Sequence, residues 1–473
     1  MSGLIEAHQL SFTYPLDGRG LQPVSFSVEA GEAVLVAGHS GCGKSTLARC
    51  LCGLIPHLYH GQFTGQVLVG GQPTANIQMW ELAEQVGMVF QNPSAQMLAP
   101  TVEDEILFGL ENLGLPRLEV GRRLEEALQR FDLDEMRSRA PQTLSGGEQQ
   151  KLALAAITAR HPQALVLDEP LSMLDITSAL EFVAHTRDLL AEGTAAIFCE
   201  HRQEYLSSLP GLKTVPLRAA ESAPPAPPLI SSWPGIEHHP HELQVRGLSV
   251  ARGGKPILHD LDLDLAGGKT IALVGRNGVG KTTLFRALAG LQKYSGSITV
   301  QGVNGPEKPQ LGMIFQNPDL QLFNASVRAE ILYRIQAPDP DLYAWLLHAL
   351  GLERYEDTPP LLLSEGEKRR LALATTLMRR PRHGLLLDEP ALGQDDAHKA
   401  TLMNILRAYA AAGHLVIFST HDLELASQAD MLILLGPEGI AAQGRTAEVM
   451  QMEPIWRRLG FVLPGWMRAG CFA

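Results

Sequence analysis

One glycine-rich stretch, Gly38-His39-Ser40-Gly41-Cys42-Gly43-Lys44-Ser45, follows the apolar run 33–37 and precedes a run of helical composition, 46–51. A strand, a glycine loop and a helix in this order are typical of a loop that wraps a polyphosphate. The glycines let backbone N–H groups turn towards phosphate oxygens, and the helix adds the positive end of its dipole. We therefore expect Lys44 to reach the β- and γ-phosphates of a nucleotide and Ser45 to ligate Mg²⁺.

The chain repeats this pattern as Gly275-Arg276-Asn277-Gly278-Val279-Gly280-Lys281-Thr282, after the apolar run 270–274. Lys281 lies 237 residues after Lys44 (281 − 44), half of the 473-residue chain. The repeat predicts a tandem protein whose two domains are each long enough to bury a sizeable core. The predicted divisions are a first domain over 1–217, a proline-rich linker over 218–242 and a second domain over 243–473. Further nucleotide contacts are expected from the residues that follow the two loops, Thr46 and Thr283.

Composition restricts the classes of partner and compartment. The formal net charge of −12 argues against a nucleic-acid partner, because phosphate backbones select for basic surfaces. No apolar run approaches the roughly 18 to 20 residues that span a bilayer, and the N-terminus lacks the features of a secretory signal. The five cysteines are not spaced like a disulfide or zinc framework. We expect a cytoplasmic protein.

The predicted linker contains the proline-rich run 222–228, which favours an extended polyproline-type spacer. His238, His239 and His241 suggest a metal site at first sight, but no cysteine or carboxylate framework accompanies them, so we interpret them as solvated linker. On either side of the linker, strand-like runs alternate with helical ones. This alternation predicts a mostly parallel sheet covered on both faces.

Four further motifs occur once in each half, in the same order. They are Leu144-Ser145-Gly146-Gly147-Glu148 and Leu363-Ser364-Glu365-Gly366-Glu367, Asp168-Glu169 and Asp388-Glu389, His201 and His421, and Gln91 and Gln316. The serines repeat after 219 residues (364 − 145) and the aspartates after 220 (388 − 168). The set resembles a fused pair of ABC nucleotide-binding domains and covers the chain apart from the linker. The resemblance implies an α/β fold of two tandem P-loop NTPase domains. Each would have a mostly parallel RecA-like core, an antiparallel β subdomain and a helical subdomain.

The resemblance implies that the chain hydrolyses ATP with Mg²⁺, a reaction catalysed by positioning and charge neutralisation. Glu169 and Glu389 would polarise the attacking water as general bases, and His201 and His421 would contact the γ-phosphate and the water. The implied Mg²⁺ shell comprises Ser45, Gln91 and Asp168 in one half and Thr282, Gln316 and Asp388 in the other. Asp175 and Asp395 occupy the positions of the family's D-loop.

In this family each nucleotide lies between the phosphate loop of one domain and the signature loop of the other. Lys44 would then work with Ser364, and Lys281 with Ser145. The signature glycines Gly147 and Gly366 let backbone N–H groups approach the γ-phosphate. Since both domains are in one chain, no ATPase homodimer is needed.

Two positions depart from the family pattern. Glu365 replaces a signature glycine and puts a carboxylate near an anion, so we hypothesise that the first ATP site is the weaker one. Tyr14 occupies the position where the family stacks an aromatic ring on adenine, and the aligned residue in the second half is Arg252. Arginine can also stack its plane on a purine.

Short strings narrow the family further. The two Q-loops (91–98 and 316–323), the runs 101–106 and 108–113, and Glu367-Lys368-Arg369-Arg370-Leu371 resemble energy-coupling-factor (ECF) and cobalt-type importer ATPases. This resemblance implies a peripheral protein on the inner face of the cell membrane that powers uptake of a vitamin, a vitamin precursor or a metal ion. Its partners would be a coupling transmembrane protein and a small substrate-binding membrane subunit. Coupling helices would dock near 92–98 and 317–323.

Three other classes of P-loop protein fit the sequence less well than an importer ATPase. A sugar-type importer ATPase would also be fused, but its second phosphate loop and signature usually diverge more than these do. A soluble ABC factor that remodels ribosomes or nucleic acid is disfavoured by the acidic charge and by the proline-rich linker, where such factors tend to carry a charged helical arm. A kinase or another P-loop enzyme is excluded by the paired signature loops.

Overall fold

The computed structural model describes residues 3–15, 20–38, 41–172, 174, 176–200, 203–217, 241–252, 255–302, 305–392, 394 and 396–461. The chain divides into two compact units, Met1–Ala223 and Pro224–Ala473. Within the described ranges, no helix reaches the length and apolarity that a membrane span requires.

The first unit contains a parallel sheet and an antiparallel sheet. Its strands are β1 (Ile5–Thr13), β2 (Gly20–Val28), β3 (Ala33–Ala37), β4 (Gln62–Val69), β5 (Gln72–Pro73), β6 (Val86–Val89), β7 (Ala164–Asp168), β8 (Ala195–Cys199) and β9 (Lys213–Pro216). Its helices are α1 (Lys44–Leu51), α2 (Leu54–His57), α3 (Met79–Gln85), α4 (Val102–Glu111), α5 (Arg117–Arg130), α6 (Gly146–Thr158), α7 (Ile176–Ala191) and α8 (Gln203–Leu206). The parallel sheet has the order β6-β7-β8-β3-β9, and the antiparallel sheet has the order β2-β1-β4-β5.

The second unit repeats this arrangement. Its strands are β10 (Glu242–Arg252), β11 (Lys255–Ala266), β12 (Thr270–Val274), β13 (Ser295–Gly302), β14 (Gly305–Glu307), β15 (Leu311–Ile314), β16 (Gly384–Asp388), β17 (Leu415–Thr420), β18 (Met431–Gly436) and β19 (Gly439–Arg445). Its helices are α9 (Lys281–Leu288), α10 (Val327–Ile331), α11 (Pro340–Ala349), α12 (Glu365–Met378), α13 (Asp396–Ala411), α14 (Leu423–Ser427), α15 (Thr446–Met450) and α16 (Glu453–Arg458). The orders are β15-β16-β17-β12-β18-β19 and β11-β10-β13-β14, with β19 antiparallel to β18.

These sheets and helices confirm the predicted fold class. The central strands β3, β7 and β8 are almost entirely apolar and buried, as strands covered on both faces must be. In the helical part of the first unit, Ile106 of α4, Leu128 of α5 and Leu152 of α6 are fully buried in one core cluster. Burial of their apolar surface fixes α6, and with it the signature loop, against the rest of the unit.

The predicted linker extended too far at its C-terminal end. β10 begins at Glu242, and His241 just before it packs its ring 5.0 Å from that of His383 and 5.9 Å from that of His414. The His241 backbone N–H also donates to Gly413 O at 3.2 Å, so this histidine belongs to the packed edge of the second unit and not to a solvated linker. His238 and His239 lie outside the described residues.

Candidate active sites

Each phosphate loop enters its helix through a glycine in the left-handed conformation. β3 leads into α1 through Gly43 at φ 100°, and β12 leads into α9 through Gly280 at φ 109°. A Cβ at Gly43 would also lie 2.7 Å from the Gly20 carbonyl oxygen. Other residues are strained in this conformation, so glycine is required where the loop meets the helix.

The loop lysines are buried and turn back over their own loops. Lys44 Nζ donates to the Gly38 carbonyl oxygen at 2.9 Å, and Lys281 Nζ donates to the Gly275 carbonyl oxygen at 2.6 Å. A positive charge over a helix N-terminus suits a bound polyphosphate. The other predicted loop residues within the described ranges are Gly41, Cys42, Thr46, Arg276, Asn277, Gly278, Val279 and Thr283. His39 and Ser40 lie outside those ranges.

The hydroxyl at the start of each of these helices contacts the aspartate at the end of a strand. Ser45 Oγ donates to Asp168 Oδ1 at 3.1 Å, and Thr282 Oγ1 donates to Asp388 Oδ2 at 2.6 Å. Hydroxyl and carboxylate oxygens suit Mg²⁺, which is held by one or two carboxylates and completes its shell with water and phosphate oxygens. The described residues contain no cluster of three or more His, Cys, Asp or Glu able to hold a metal. The hydroxyl–carboxylate pairs fit a Mg²⁺ ion that arrives with a nucleotide.

Burial changes the acidity of both aspartates. Burial, together with the neighbouring Glu169 charge, raises the pKa of Asp168 to about 7. Burial also raises the pKa of Asp388, although hydrogen bonds from Ser419 and Thr282 oppose the shift. A cation beside either carboxylate would favour its charged form.

Each candidate general base has a side-chain partner within hydrogen-bonding distance. Glu169 and Glu389 follow β7 and β16 in the left-handed region, at φ 47° and φ 51°. Gln91 Nε2 donates to Glu169 Oε2 at 2.6 Å, whereas His421 Nδ1 lies 3.0 Å from Glu389 Oε2. Burial raises the pKa of Glu389, but His421 and Lys281 outweigh burial, so that the pKa lies below its usual value. Strained backbone of this kind persists where the surrounding structure fixes it, often at functional sites.

Of the other predicted residues around the γ-phosphate, the structure describes the contacts of Gln316. The Gln316 carbonyl oxygen accepts a hydrogen bond from Arg369 Nη2 at 3.3 Å, and Arg369 Nη1 donates to Leu392 O at 2.7 Å. Arg369 thereby connects the second Q-loop to the segment that follows Glu389. His201, Asp175 and Asp395 lie outside the described residues.

Both signature loops begin a helix through a capping box. Ser145 Oγ accepts from the Glu148 backbone N–H at 3.3 Å, and the Ser145 N–H donates to Glu148 Oε2 at 2.6 Å. Ser364 and Glu367 make the same pair of contacts, at 3.4 Å and 2.8 Å. These reciprocal bonds satisfy two backbone donors at the start of α6 and α12 and hold each serine at the helix tip.

The Glu365 carboxylate lies beside a cation. Lys368 Nζ is 3.6 Å from Glu365 Oε1 and 2.8 Å from Asp319 Oδ1 of the second Q-loop. In the first half the aligned contact is neutral, because Ser94 Oγ donates to Gln149 Oε1 at 2.7 Å. The Q-loop and the signature helix are therefore joined in both halves, by an ion pair in one and by a neutral hydrogen bond in the other.

Tyr14 is fixed against the helix of its own phosphate loop. Its hydroxyl accepts from Arg49 Nη1 at 2.9 Å, and its ring packs edge-on against Phe12 at 4.8 Å between centroids. These contacts orient the ring beside the phosphate loop, where adenine stacking is predicted. The side chain of Arg252 lies outside what the structure describes.

A pair of buried carboxylates was not predicted. Glu105 Oε2 accepts from the backbone N–H groups of Leu98 and Ala99, both at 2.8 Å. Glu330 Oε2 accepts in the same way from Phe323 at 2.8 Å and from the next residue at 2.7 Å. Each glutamate thus binds the backbone at the end of a Q-loop. The apolar side chains at these ends, Leu98 and Phe323, remain exposed. The signal that could have revealed them is a shared offset, because 330 − 105 equals the 225 residues between Gln91 and Gln316.

The chain is similar to several known proteins. The family description ABC transporter matches residues 21–172 and 258–392. A Bacillus subtilis protein named for HMP/thiamine import, the ATP-binding protein YkoD, is 35% identical over 95% of this chain and 93% of its own length. An ABC transporter ATP-binding protein of Streptomyces coelicolor is also 35% identical, over 95% of both chains. The solved structure of cbiO1 from Clostridium perfringens, described as part of the ABC transporter complex cbiONQ, is 25% identical with a TM-score of 0.40, over 44% of this chain and 81% of that one. The chain therefore belongs to the ABC transporter family, as an ATPase with two fused ATP-binding domains whose hydrolysis is coupled to transport.

Proposed function

We propose that this chain is the energy-coupling ATPase of an ECF-type importer and powers uptake of a small nutrient, a vitamin, a vitamin precursor or a metal ion, through separate membrane subunits. The observation that carries the proposal is the repeated Q-loop surface. In each half, the loop that begins with Gln91 or Gln316 ends in an exposed apolar residue held by a buried carboxylate. The name of the Bacillus subtilis relative supports the direction of transport.

Hydrolysis at each site would rest on charge neutralisation and on placement of the attacking water. Lys44 and Lys281 bind the β- and γ-phosphates. Glu169 and Glu389 accept a hydrogen bond from the water and draw its proton as the oxygen approaches the γ-phosphate. His421 holds the Glu389 carboxylate in place, and its contact at 3.0 Å supports this role.

A bound Mg²⁺ ion would supply neutralisation of phosphate charge. Ser45 and Thr282 would ligate it directly, and Asp168 and Asp388 would hold it through water. A hydroxyl that donates its proton to a carboxylate keeps its lone pairs for a cation. The bonds from Ser45 and Thr282 to their aspartates support this assignment.

The signature loops would add backbone N–H groups for the γ-phosphate of a nucleotide, through Ser145 and Gly147 in the first domain and Ser364 and Gly366 in the second. Our hypothesis that the first ATP site is the weaker one rests on Glu365, which places a carboxylate in a signature loop. Because Lys368 lies only 3.6 Å from that carboxylate, we expect a weakened first site and not an inactive one.

The membrane partner would dock on the Q-loop surfaces. In the first domain this surface includes Leu98, 72% exposed, and Phe108. In the second it includes Leu320 and Phe323, 65% and 67% exposed. Exposed apolar side chains that cluster beside a catalytic loop suit an amphipathic helix of a partner. Movement of Gln91 or Gln316 during hydrolysis would also move these surfaces, because they belong to the same loops.

The test is extraction of the chain from native membranes in mild detergent, followed by identification of the proteins that accompany it and assay of its ATPase. We expect a polytopic membrane protein and a small substrate-binding subunit, and stimulation of the ATPase by both. HMP and thiamine, which appear in the name of the Bacillus subtilis relative, are the first ligands to offer the small subunit. Recovery of ribosomes or nucleic acid with no membrane protein would overturn the importer and favour the soluble factor.

A matched set of variants makes this test specific to the proposed surface. Leu98→Glu and Phe323→Glu place charge on the Q-loop surfaces and should release the membrane partner. Leu118→Glu is the control, because Leu118 on α5 is 90% exposed and lies outside those surfaces. Equal release by all three variants would contradict the proposed docking site.

A further inference from the structure

Ser419 makes two hydrogen bonds to the catalytic end of the neighbouring strand. It lies on β17 directly opposite Asp388 of β16 and is completely buried. Its Oγ donates to Asp388 Oδ1 at 2.6 Å and accepts from the backbone N–H of Glu389 at 3.0 Å. A single hydroxyl therefore contacts both acidic residues of the second site.

The first half has a different atom in this position. Cys199 on β8 lies opposite Asp168 in the same register and is also completely buried. Its Sγ donates to Lys44 O at 3.6 Å, and the Glu169 backbone N–H donates to the Cys199 carbonyl oxygen at 2.8 Å. The Glu169 N–H thus adds one more backbone hydrogen bond between the two strands of the first half. In the second half the aligned N–H, that of Glu389, donates to the Ser419 hydroxyl instead.

The two contacts differ in strength for a chemical reason. A hydroxyl makes a short, charge-assisted bond to a carboxylate, while a thiol is a weak donor and a weak acceptor. Asp388 receives a proton donor on each oxygen, Thr282 on Oδ2 and Ser419 on Oδ1. Two donors on opposite oxygens fix the rotation of the carboxylate about its final bond, because rotation would break both hydrogen bonds.

We propose that Ser419 is a positioning residue of the second ATP site, which sets the orientation of Asp388 and of the Glu389 backbone, and that Cys199 leaves the first site without this device. The inference rests on the proposed function, in which Asp388 holds Mg²⁺ through water and Glu389 polarises the attacking water. In this proposal Ser419 acts through the two residues that it holds.

The experiment compares Ser419→Cys, Ser419→Thr and Cys199→Ser in the full chain. Mn²⁺ with ADP is the probe, and electron paramagnetic resonance measures the affinity of each site for Mn²⁺. Ser419→Cys gives the second site the thiol that Cys199 provides in the first. We expect this variant to lower the Mn²⁺ affinity of the second site by about tenfold and to leave the first unchanged. Ser419→Thr retains the hydroxyl and should retain the affinity. Cys199→Ser should raise the affinity of the other site.

Activity provides a second measurement. We expect Ser419→Cys to lower kcat by about tenfold with little change in KM for ATP, because misplacement of Asp388 and Glu389 affects the reacting geometry more than nucleotide binding. Unchanged Mn²⁺ affinity at both sites in Ser419→Cys, or an equal loss in Ser419→Thr, overturns the inference. An equal fall in ADP binding without Mn²⁺ would show a general structural role and also overturn it. If the unaltered chain binds no Mn²⁺ with ADP, the proposed metal site fails, and this inference fails with it.

Discussion

The Gln91 side chain donates to the Glu169 carboxylate across 2.6 Å, and in the second half His421 lies 3.0 Å from the carboxylate of the aligned glutamate, Glu389. A residue of the Q-loop thus contacts the glutamate in the first domain, and a residue that follows β17 contacts it in the second. The first prediction concerns these two glutamates.

Glu169→Gln and Glu389→Gln should leave unequal residual ATPase. Loss of a general base lowers the rate of its own site by about 10²-fold or more. We expect Glu389→Gln to remove more activity, because we hypothesise that Glu365 weakens the first site and because Cys199 lacks the contacts of Ser419. Steady-state hydrolysis measures both variants, with Glu192→Gln on the surface as the control. Equal residual rates would contradict the asymmetry.

The ion pair between Asp319 and Lys368 should stabilise the second domain more than an exposed pair does. The Lys368 side chain is only 11% exposed, so solvent screens the pair incompletely. A double-mutant cycle with Asp319→Ala and Lys368→Ala should give a coupling in unfolding free energy of about 1 kcal/mol that falls with salt. The same cycle on Lys213 and Glu32, an exposed pair, is the comparison. Coupling no larger than in that pair would contradict the prediction.

Glu330→Ala should lower the free energy of unfolding by about 2 to 4 kcal/mol, since it leaves two backbone N–H groups at the end of the Q-loop without their charged acceptor. Glu330→Gln should lose less, because an amide oxygen can accept both bonds. Urea unfolding of the full chain measures both variants. Glu353→Ala, at an exposed carboxylate, is the control. If glutamine is as damaging as alanine, the account of the two accepted bonds is wrong.

Stability of the second domain should fall in mild acid because of His414. Burial, with the neighbouring His241, lowers the pKa of His414 to about 4 from its usual value near 6.5. Between these pH values the unfolded chain binds a proton that the folded chain does not, so unfolding free energy falls by at most about 1.4 kcal/mol per pH unit. Above pH 6.5 both states are neutral at this residue and the effect vanishes.

The matched variant is His414→Phe, which keeps a ring to stack on Tyr409, whose centroid lies 4.2 Å away. Thermal unfolding between pH 7.5 and pH 4.5 should show a smaller slope in the variant. Burial also lowers the pKa of His241 in this cluster, so a residual slope is expected. A slope identical to that of the unaltered chain would remove His414 as its source.

Some parts of the candidate site could be predicted from the sequence. They are the parts whose nucleotide-binding or catalytic residues are adjacent in the sequence. Lys44 and Ser45 follow their glycines directly, and Glu169 follows Asp168, so the spacing itself carries the information. Ligand chemistry requires those residue types in that order. The parallel sheet was predictable for a related reason, because strands covered on both faces must be apolar throughout.

Contacts between distant residues could not be predicted in this way. Ser419 is 31 residues from Asp388, and a serine inside a buried strand has no local pattern that distinguishes it. The role of Glu330 was not predicted, because its two partners belong to a loop that only the fold brings near. His241 was assigned to the linker because ring packing against His383 has no signature in the sequence.

The capping boxes have a consequence for the direction in which the signature serines can act. In each box the serine oxygen accepts a hydrogen bond, so its own proton is not consumed by the cap. Each box also satisfies the backbone N–H groups of its serine and of the glutamate three residues later. The N–H groups of the two residues between them have no partner within the helix, because the first N–H groups of a helix never do. Those two are Gly146 and Gly147 in one loop and Glu365 and Gly366 in the other. Each signature tip therefore carries three proton donors that the cap does not use, the serine hydroxyl and two backbone N–H groups.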